Sequence, residues 1–131
     1  MKLKNHHAVL LFLAFAVLMT SAFLVGTGSI ERFDVLLLEY SVSEDGTELT
    51  LQTGVASSMG YTRDFQDFQK DHAHHLTFYS TYGGLNSSFG AKSEFTLTLD
   101  EADTAVYFAC ANGDYELILQ KDAESGAWVR A

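Results

Sequence analysis

No proline occurs in the 131 residues, cysteine and tryptophan occur once each, and 8 Lys plus Arg stand against 17 Asp plus Glu. Without proline there is no polyproline linker and no cis-proline turn. The lone Cys110 has no internal partner, so a disulfide scaffold is excluded and stability must come from apolar burial. The length suits a single compact unit of this kind. The shortage of cations leaves a net charge of −9 at pH 7, which excludes an electrostatic grip on nucleic acid phosphates.

Charge and hydropathy are unevenly distributed, and they divide the chain at residue 30. Residues 1–30 carry Lys2 and Lys4 and no acid, so the −9 of the whole chain becomes −11 on residues 31–131. Between His7 and Gly26 the run 8–25 is interrupted only by Thr20 and Ser21. As a helix it spans about 27 Å, close to the ~30 Å hydrocarbon core of a bilayer. Leu11, Phe12, Leu13, Phe15, Val17, Leu18 and Phe23 face all ways around such a helix, unlike the single stripe of a soluble core helix. As an uncleaved anchor, the segment keeps its lysines cytoplasmic and exports everything after Gly28. As a signal peptide, it is cleaved near Thr20-Ser21-Ala22 and the remainder is secreted. Either way, residues 31–131 form an exported domain, held in the first case in the cell membrane by a single pass; only a third reading, a buried helix of a soluble protein, does not export them.

From Phe33 onward the apolar period becomes two. Leu49, Leu51, Thr53 and Val55 share one face, and Phe95, Leu97 and Leu99 another. Asp45-Gly46 joins strands at 35–42 and 48–55, and Asn112-Gly113 joins strands at 104–110 and 115–121; both dipeptides are hairpin signals. Further strands are expected at 76–82 and 93–99, with a short closing strand at Trp128 and Val129. Six or seven strands with turn signals about every ten residues predict an all-β fold, an antiparallel β-sandwich or a small barrel. Residues 57–75 are read as a long crossover, with a short amphipathic helical turn over 64–71 because Phe65 and Phe68 lie three apart.

The residues that merit a functional test are few. Asp71-His72-Ala73-His74-His75 places imidazoles beside a carboxylate, and Asp71, His72 and His74 are candidate ligands for zinc, nickel or copper. The alternative is a set of loop histidines supplying pH-dependent charge. Asp100-Glu101-Ala102-Asp103 and Ser43-Glu44-Asp45-Gly46 are oxygen-rich enough for calcium, or are ordinary turns whose acids bond their own backbone. Ala56-Ser57-Ser58-Met59-Gly60 matches a nucleophile-elbow variant, but that motif needs a strand-to-helix turn in an α/β sheet, which the pattern lacks. The loop 83–90 has three glycines among polar and apolar residues, and with its flank offers Tyr82, Leu85, Asn86 and Phe89 as an interaction surface.

Two stretches carry resemblances. Residues 103–110, Asp-Thr-Ala-Val-Tyr-Phe-Ala-Cys, resemble the Asp-x-Ala-x-Tyr-x-Cys string of immunoglobulin variable domains. Cys110 stands three residues after Tyr107 rather than two, and the second cysteine and central tryptophan are missing, so the likeness is local. More broadly, residues 50–121 resemble a group of small bacterial proteins with an N-terminal membrane segment. The strings that carry this are Val55-Ala56-Ser57-Ser58-Met59-Gly60-Tyr61, Leu76-Thr77-Phe78-Tyr79 and Gly83-Gly84-Leu85-Asn86-Ser87-Ser88. That resemblance implies an exported single domain and carries no activity.

The sequence therefore predicts a binding or structural module rather than an enzyme, since no reaction can be written with named roles. It meets the membrane through residues 8–25 and a protein or other cell-surface partner through its loops, and it takes no cofactor. The alternative is a metal sensor or buffer built on residues 71–75, with zinc or nickel there or calcium in the acidic turns.

Overall fold

The computed structural model describes residues 2–57, 59–84 and 86–131. One helix, α1 (Lys2–Gly28), precedes β1 (Glu31–Arg32), β2 (Val35–Val42), β3 (Glu48–Val55), β4 (Thr62–Lys70), β5 (Ala73–Ser80), β6 (Glu94–Thr98), β7 (Ala105–Ala109), β8 (Tyr115–Lys121) and β9 (Trp128–Arg130). The protein is thus mostly β with one N-terminal apolar helix. Within α1, the 24 residues Asn5–Gly28 are long and apolar enough to cross a membrane. Phe12, Val17 and Leu18 stand exposed on different sides of the helix, with nothing of the β domain covering them.

The strands form two sheets. The larger has the order β1-β5-β7-β8-β9, with β4 on the other side of β5; the smaller is β2-β3-β6. Alternation decides which residues meet between them. Leu49 and Leu51 from β3, Phe95 and Leu97 from β6, and Leu76, Phe78, Val106, Phe108 and Leu119 from the larger sheet form one buried core. Phe78 is its aromatic hub, with ring centroids 4.9 Å from Phe108, 5.5 Å from Phe95 and 6.3 Å from Phe65.

Side chains close the seams where the sheets curl toward each other. On one side Lys92 N–H donates to the Thr62 carbonyl and the Thr62 hydroxyl donates to the Lys92 carbonyl. On the other, Tyr40 donates to the Trp128 carbonyl. There Arg130 donates to the carbonyls of Leu37 and Leu38, at the β2 bulge between Leu37 and Glu39. A bulge leaves carbonyls without a ladder partner, and the guanidinium supplies one. Arg130→Ala is accordingly expected to lower stability by about 1–3 kcal/mol, measured as a reduced urea midpoint; an unchanged midpoint would show that the seam holds without it.

Two sequence expectations are corrected. The sheets are not wholly antiparallel, because β5 and β7 pair in parallel from Ala73↔Ala105 to Leu76↔Phe108. Residues 57–75 are not a crossover with a helical turn: β4 and β5 form a hairpin paired from Thr62↔Ser80 to Lys70↔Ala73. The spacing of three puts Phe65 and Phe68 on opposite faces of a strand. Phe65 packs into the core against Phe95, and Phe68 lies outside against His75.

Candidate functional site

The hairpin places His74 on the same face of β5 as Leu76 and Phe78, fully buried. Its Nδ1 lies 2.5 Å from Asp67 Oδ2, and its Nε2 lies 2.7 Å from Asp103 Oδ2. Asp67 shares the inward parity of Phe65 on β4. Asp103 comes from the turn before β7, where its Oδ2 also accepts the Asp100 N–H. Ionised carboxylates only accept hydrogen bonds, so engaging both ring nitrogens requires the doubly protonated imidazolium. Burial opposes that charge and is the largest single influence. The hydrogen bonds and charges of Asp67 and Asp103 together outweigh it, so His74 titrates above its ordinary value.

This arrangement separates the expected metal ligands. His74 has both nitrogens occupied by carboxylates, while Asp71 and His72 form the exposed two-residue turn between β4 and β5. Among the described residues, no group of three or more His, Cys, Asp or Glu is placed to hold a metal ion. The turn bends through left-handed conformations at Asp71 (φ 53°) and His72 (φ 62°), which non-glycine residues adopt at a cost. His72→Gly is therefore expected to raise stability by about 0.5–1 kcal/mol, read as a higher melting temperature. A fall would mean that the imidazole makes a stabilising contact or holds a ligand.

The acidic turns bond themselves. Asp45 Oδ1 accepts from Ser43 Oγ, Thr47 Oγ1 and the Thr47 N–H, and these bonds, led by that from Ser43, hold its carboxyl below the usual range. Asp100 Oδ1 accepts the Ala102 N–H. In the elbow-like stretch, Ser57 Oγ accepts the Met59 N–H, and the segment is a turn ahead of β4.

The outer face of the larger sheet carries a feature the sequence reading missed. The His75 ring is stacked on Tyr107 at 4.9 Å with an interplanar angle of 4°, meets Tyr115 edge-on at 4.9 Å, and lies 6.0 Å from Phe68. Its Nδ1–H donates to the Phe68 carbonyl. Alongside, Tyr79 donates to Gln66 Oε1. Phe68 and Tyr115 remain 61% and 41% exposed, so the row is an open aromatic surface edged by polar groups. The alternation of 73–80 marks His75 as outward; its partners arrive only with strand pairing. Tyr107, the tyrosine of the immunoglobulin-like string, belongs to this row, and Asp103 of the same string belongs to the buried cluster.

The loop singled out for interaction lies at the helix end. Tyr82 pairs with Phe89 in an isolated bridge, their rings 5.6 Å apart, and Asn86 Oδ1 accepts the Gly60 N–H; Leu85 lies outside the described residues. Tyr82 is committed to structure, since Arg63 sits over its ring at 4.4 Å and a Cβ on Gly28 would clash with it at 2.5 Å. The same arginine donates to the Gly28 carbonyl at 2.7 Å. The Ser80 hydroxyl donates to the Thr27 carbonyl, and the Gly83 N–H to Thr27 Oγ1. No basic residue occupies the last turn of α1, and Arg63 supplies from β4 the positive charge that a helix C-terminus favours.

Between this end and the smaller sheet lies a cavity of about 350 Å³ lined by Thr53, Val55, Tyr61, Thr62, Ala91 and Lys92. Comparison with known proteins finds no matching family model, no matching curated protein and no matching solved structure.

Proposed function

We propose that this chain is a membrane-anchored, extracytoplasmic binding module, its two sheets packed as an open β-sandwich. It presents the aromatic row of Phe68, His75, Tyr107 and Tyr115 at a fixed orientation to the membrane. The observation that carries this reading is the bonded joint at the end of α1, made by Arg63, Ser80 and Gly83 on Thr27 and Gly28. Cleavage near Thr20-Ser21-Ala22 would leave Thr27 and Gly28 on the domain, so the joint fixes the orientation of a retained helix. Retention itself is supported by the 24 residues Asn5–Gly28, long and apolar enough to cross a membrane. The lysines ahead of the apolar run favour a cytoplasmic N-terminus, which puts the β domain outside. The resemblance of residues 50–121 to bacterial proteins with an N-terminal membrane segment agrees with that location. Exposed aromatic rings beside polar groups are the composition of contact surfaces.

The test is photo-crosslinking in intact cells, with a photoreactive residue at Tyr115 or, for comparison, at Thr96 on the smaller sheet. Adducts specific to position 115 that disappear in a Phe68→Ala background are the expected result. Equal labelling at both positions, or none at 115, would contradict the aromatic face as the binding surface.

A further inference from the structure

We infer that the β domain is seated on the outer leaflet of the bilayer that α1 crosses, with loop side chains in the headgroup layer. This rests on the anchor reading of α1 and adds to it a second contact, a lipid surface. Residues 8–25 cover about 27 Å as a helix, nearly the whole hydrocarbon core. Thr27 and Gly28 then fall within the first few ångströms of the headgroup layer, which is about 5–8 Å deep on each side. Arg63, Ser80 and Gly83 bond directly to those two residues, so the segments that carry them share that depth. A flexible linker would let the domain stand away from the membrane, but here the backbone runs from helix to sheet within two residues, and Ser80 N–H donates to the Ile30 carbonyl.

The surface gathered at this end suits lipid. Loop 56–61 is tied to the joint through Arg32, which donates to the Met59 carbonyl, and through the bond from Gly60 to Asn86. Around the helix exit Ile30, Met59, Tyr61 and Phe89 are exposed by 55%, 52%, 44% and 63%. Apolar and aromatic side chains with one polar handle partition into the interface in this way.

Charge is segregated along the same axis. The turns 43–47, 71–72, 99–104 and 122–126 gather at the opposite end, linked by the bonds Leu99 N–H to Thr47 O, Thr104 N–H to His72 O and Lys121 N–H to Thr104 O. They contain eight of the 17 acids and no lysine or arginine. The loops 56–61 and 81–93 contain no acid. The helix-exit end also carries Glu31, Asp34, Asp64 and Asp114, but there Asp34 pairs with Arg32 and Asp64 lies 3.9 Å from Arg63. The eight acids of the far turns stand clear of a leaflet whose like-charged headgroups would repel them.

The experiment uses the full chain, in a Cys110→Ser background, reconstituted in phosphatidylcholine vesicles and carrying an environment-sensitive fluorophore on Met59→Cys, Phe89→Cys or, at the distal end, Glu124→Cys. Flotation of the vesicles is scored first. The expected result is that all three variants float, and that labels at 59 and 89 are quenched several-fold more by lipids with a nitroxide near the glycerol than the label at 124. Iodide in the water should give the reverse order. Chains that float with all three labels equally open to iodide would overturn the seating and leave the anchor intact. Chains that fail to float would overturn both. Matching melting temperatures with the parent establish that the labelled proteins are folded.

Discussion

His74→Ala is expected to cost about 3–5 kcal/mol, the range for removing one member of a buried ionic cluster. Two carboxylates would remain at the distal end of the core, Asp103 buried and Asp67 nearly so, without the cation between them. Asp67 Oδ1 already lies buried with no hydrogen-bond partner among the described residues, so the variant would deepen an existing deficit. The sign of the pH dependence follows from the raised pKa of His74. Its contribution is fully present below the unfolded value of about 6.5 and is lost as pH rises through the higher folded value. Urea unfolding of the full chain in detergent, compared with His74→Gln between about pH 6 and about pH 9, isolates this term. The advantage of the parent over the variant should shrink as pH rises. A constant difference across that range would mean that the ring does not carry a proton between the two aspartates.

The second large effect is expected at Phe78. Its side chain is 1% exposed and its ring meets those of Phe65, Phe95 and Phe108, drawn from β4, β6 and β7. Phe78→Ala removes a ring that meets aromatic neighbours from both sheets, at about 3–5 kcal/mol for a large-to-small core change. Phe78→Leu keeps most of the volume and should cost less than half as much. Guanidinium unfolding of the two variants distinguishes packing from simple loss of hydrophobicity. Equal losses would show that the aromatic contacts matter beyond the volume they fill, and two small losses would show that the core collapses around the gap.

Much of the β domain was legible because its signals are local. The strands at 35–42, 48–55 and 115–121 coincide with β2, β3 and β8 at both ends. β3 alternates along its length, β2 and β8 are apolar runs bounded by turn residues, and Gly46 and Gly113 adopt the positive φ that their turns need, 74° and 85°. Residues 64–71 misled because a spacing of three fits a helix face and also fits a strand with one large apolar residue on each side. There the turn is made by Asp71 and His72 rather than by a glycine dipeptide, so its hairpin signal was weak.

The candidate sites were legible only in part. Parity alone puts His74 with Leu76 and Phe78, but Asp67 reaches it across the hairpin and Asp103 across a pairing of strands some thirty residues apart. The parallel alignment of β7 with β5 has no local signature at all. The loop at 82–89 was marked by composition as a contact surface; what composition does not carry is that Thr27 and Gly28 of the helix are its nearest neighbours.

The central claim, an exported domain that stays fixed to an uncleaved helix, is tested most directly by thiol labelling in intact cells. Two single-cysteine chains in a Cys110→Ser background suffice, Lys2→Cys and Glu124→Cys, probed with a membrane-impermeant maleimide before and after lysis. The account predicts that position 124 labels on intact cells, that position 2 labels only after lysis, and that both labels remain on one membrane-bound chain of full length. Protection of position 124 until lysis, or release of a shortened domain into the medium, would contradict it.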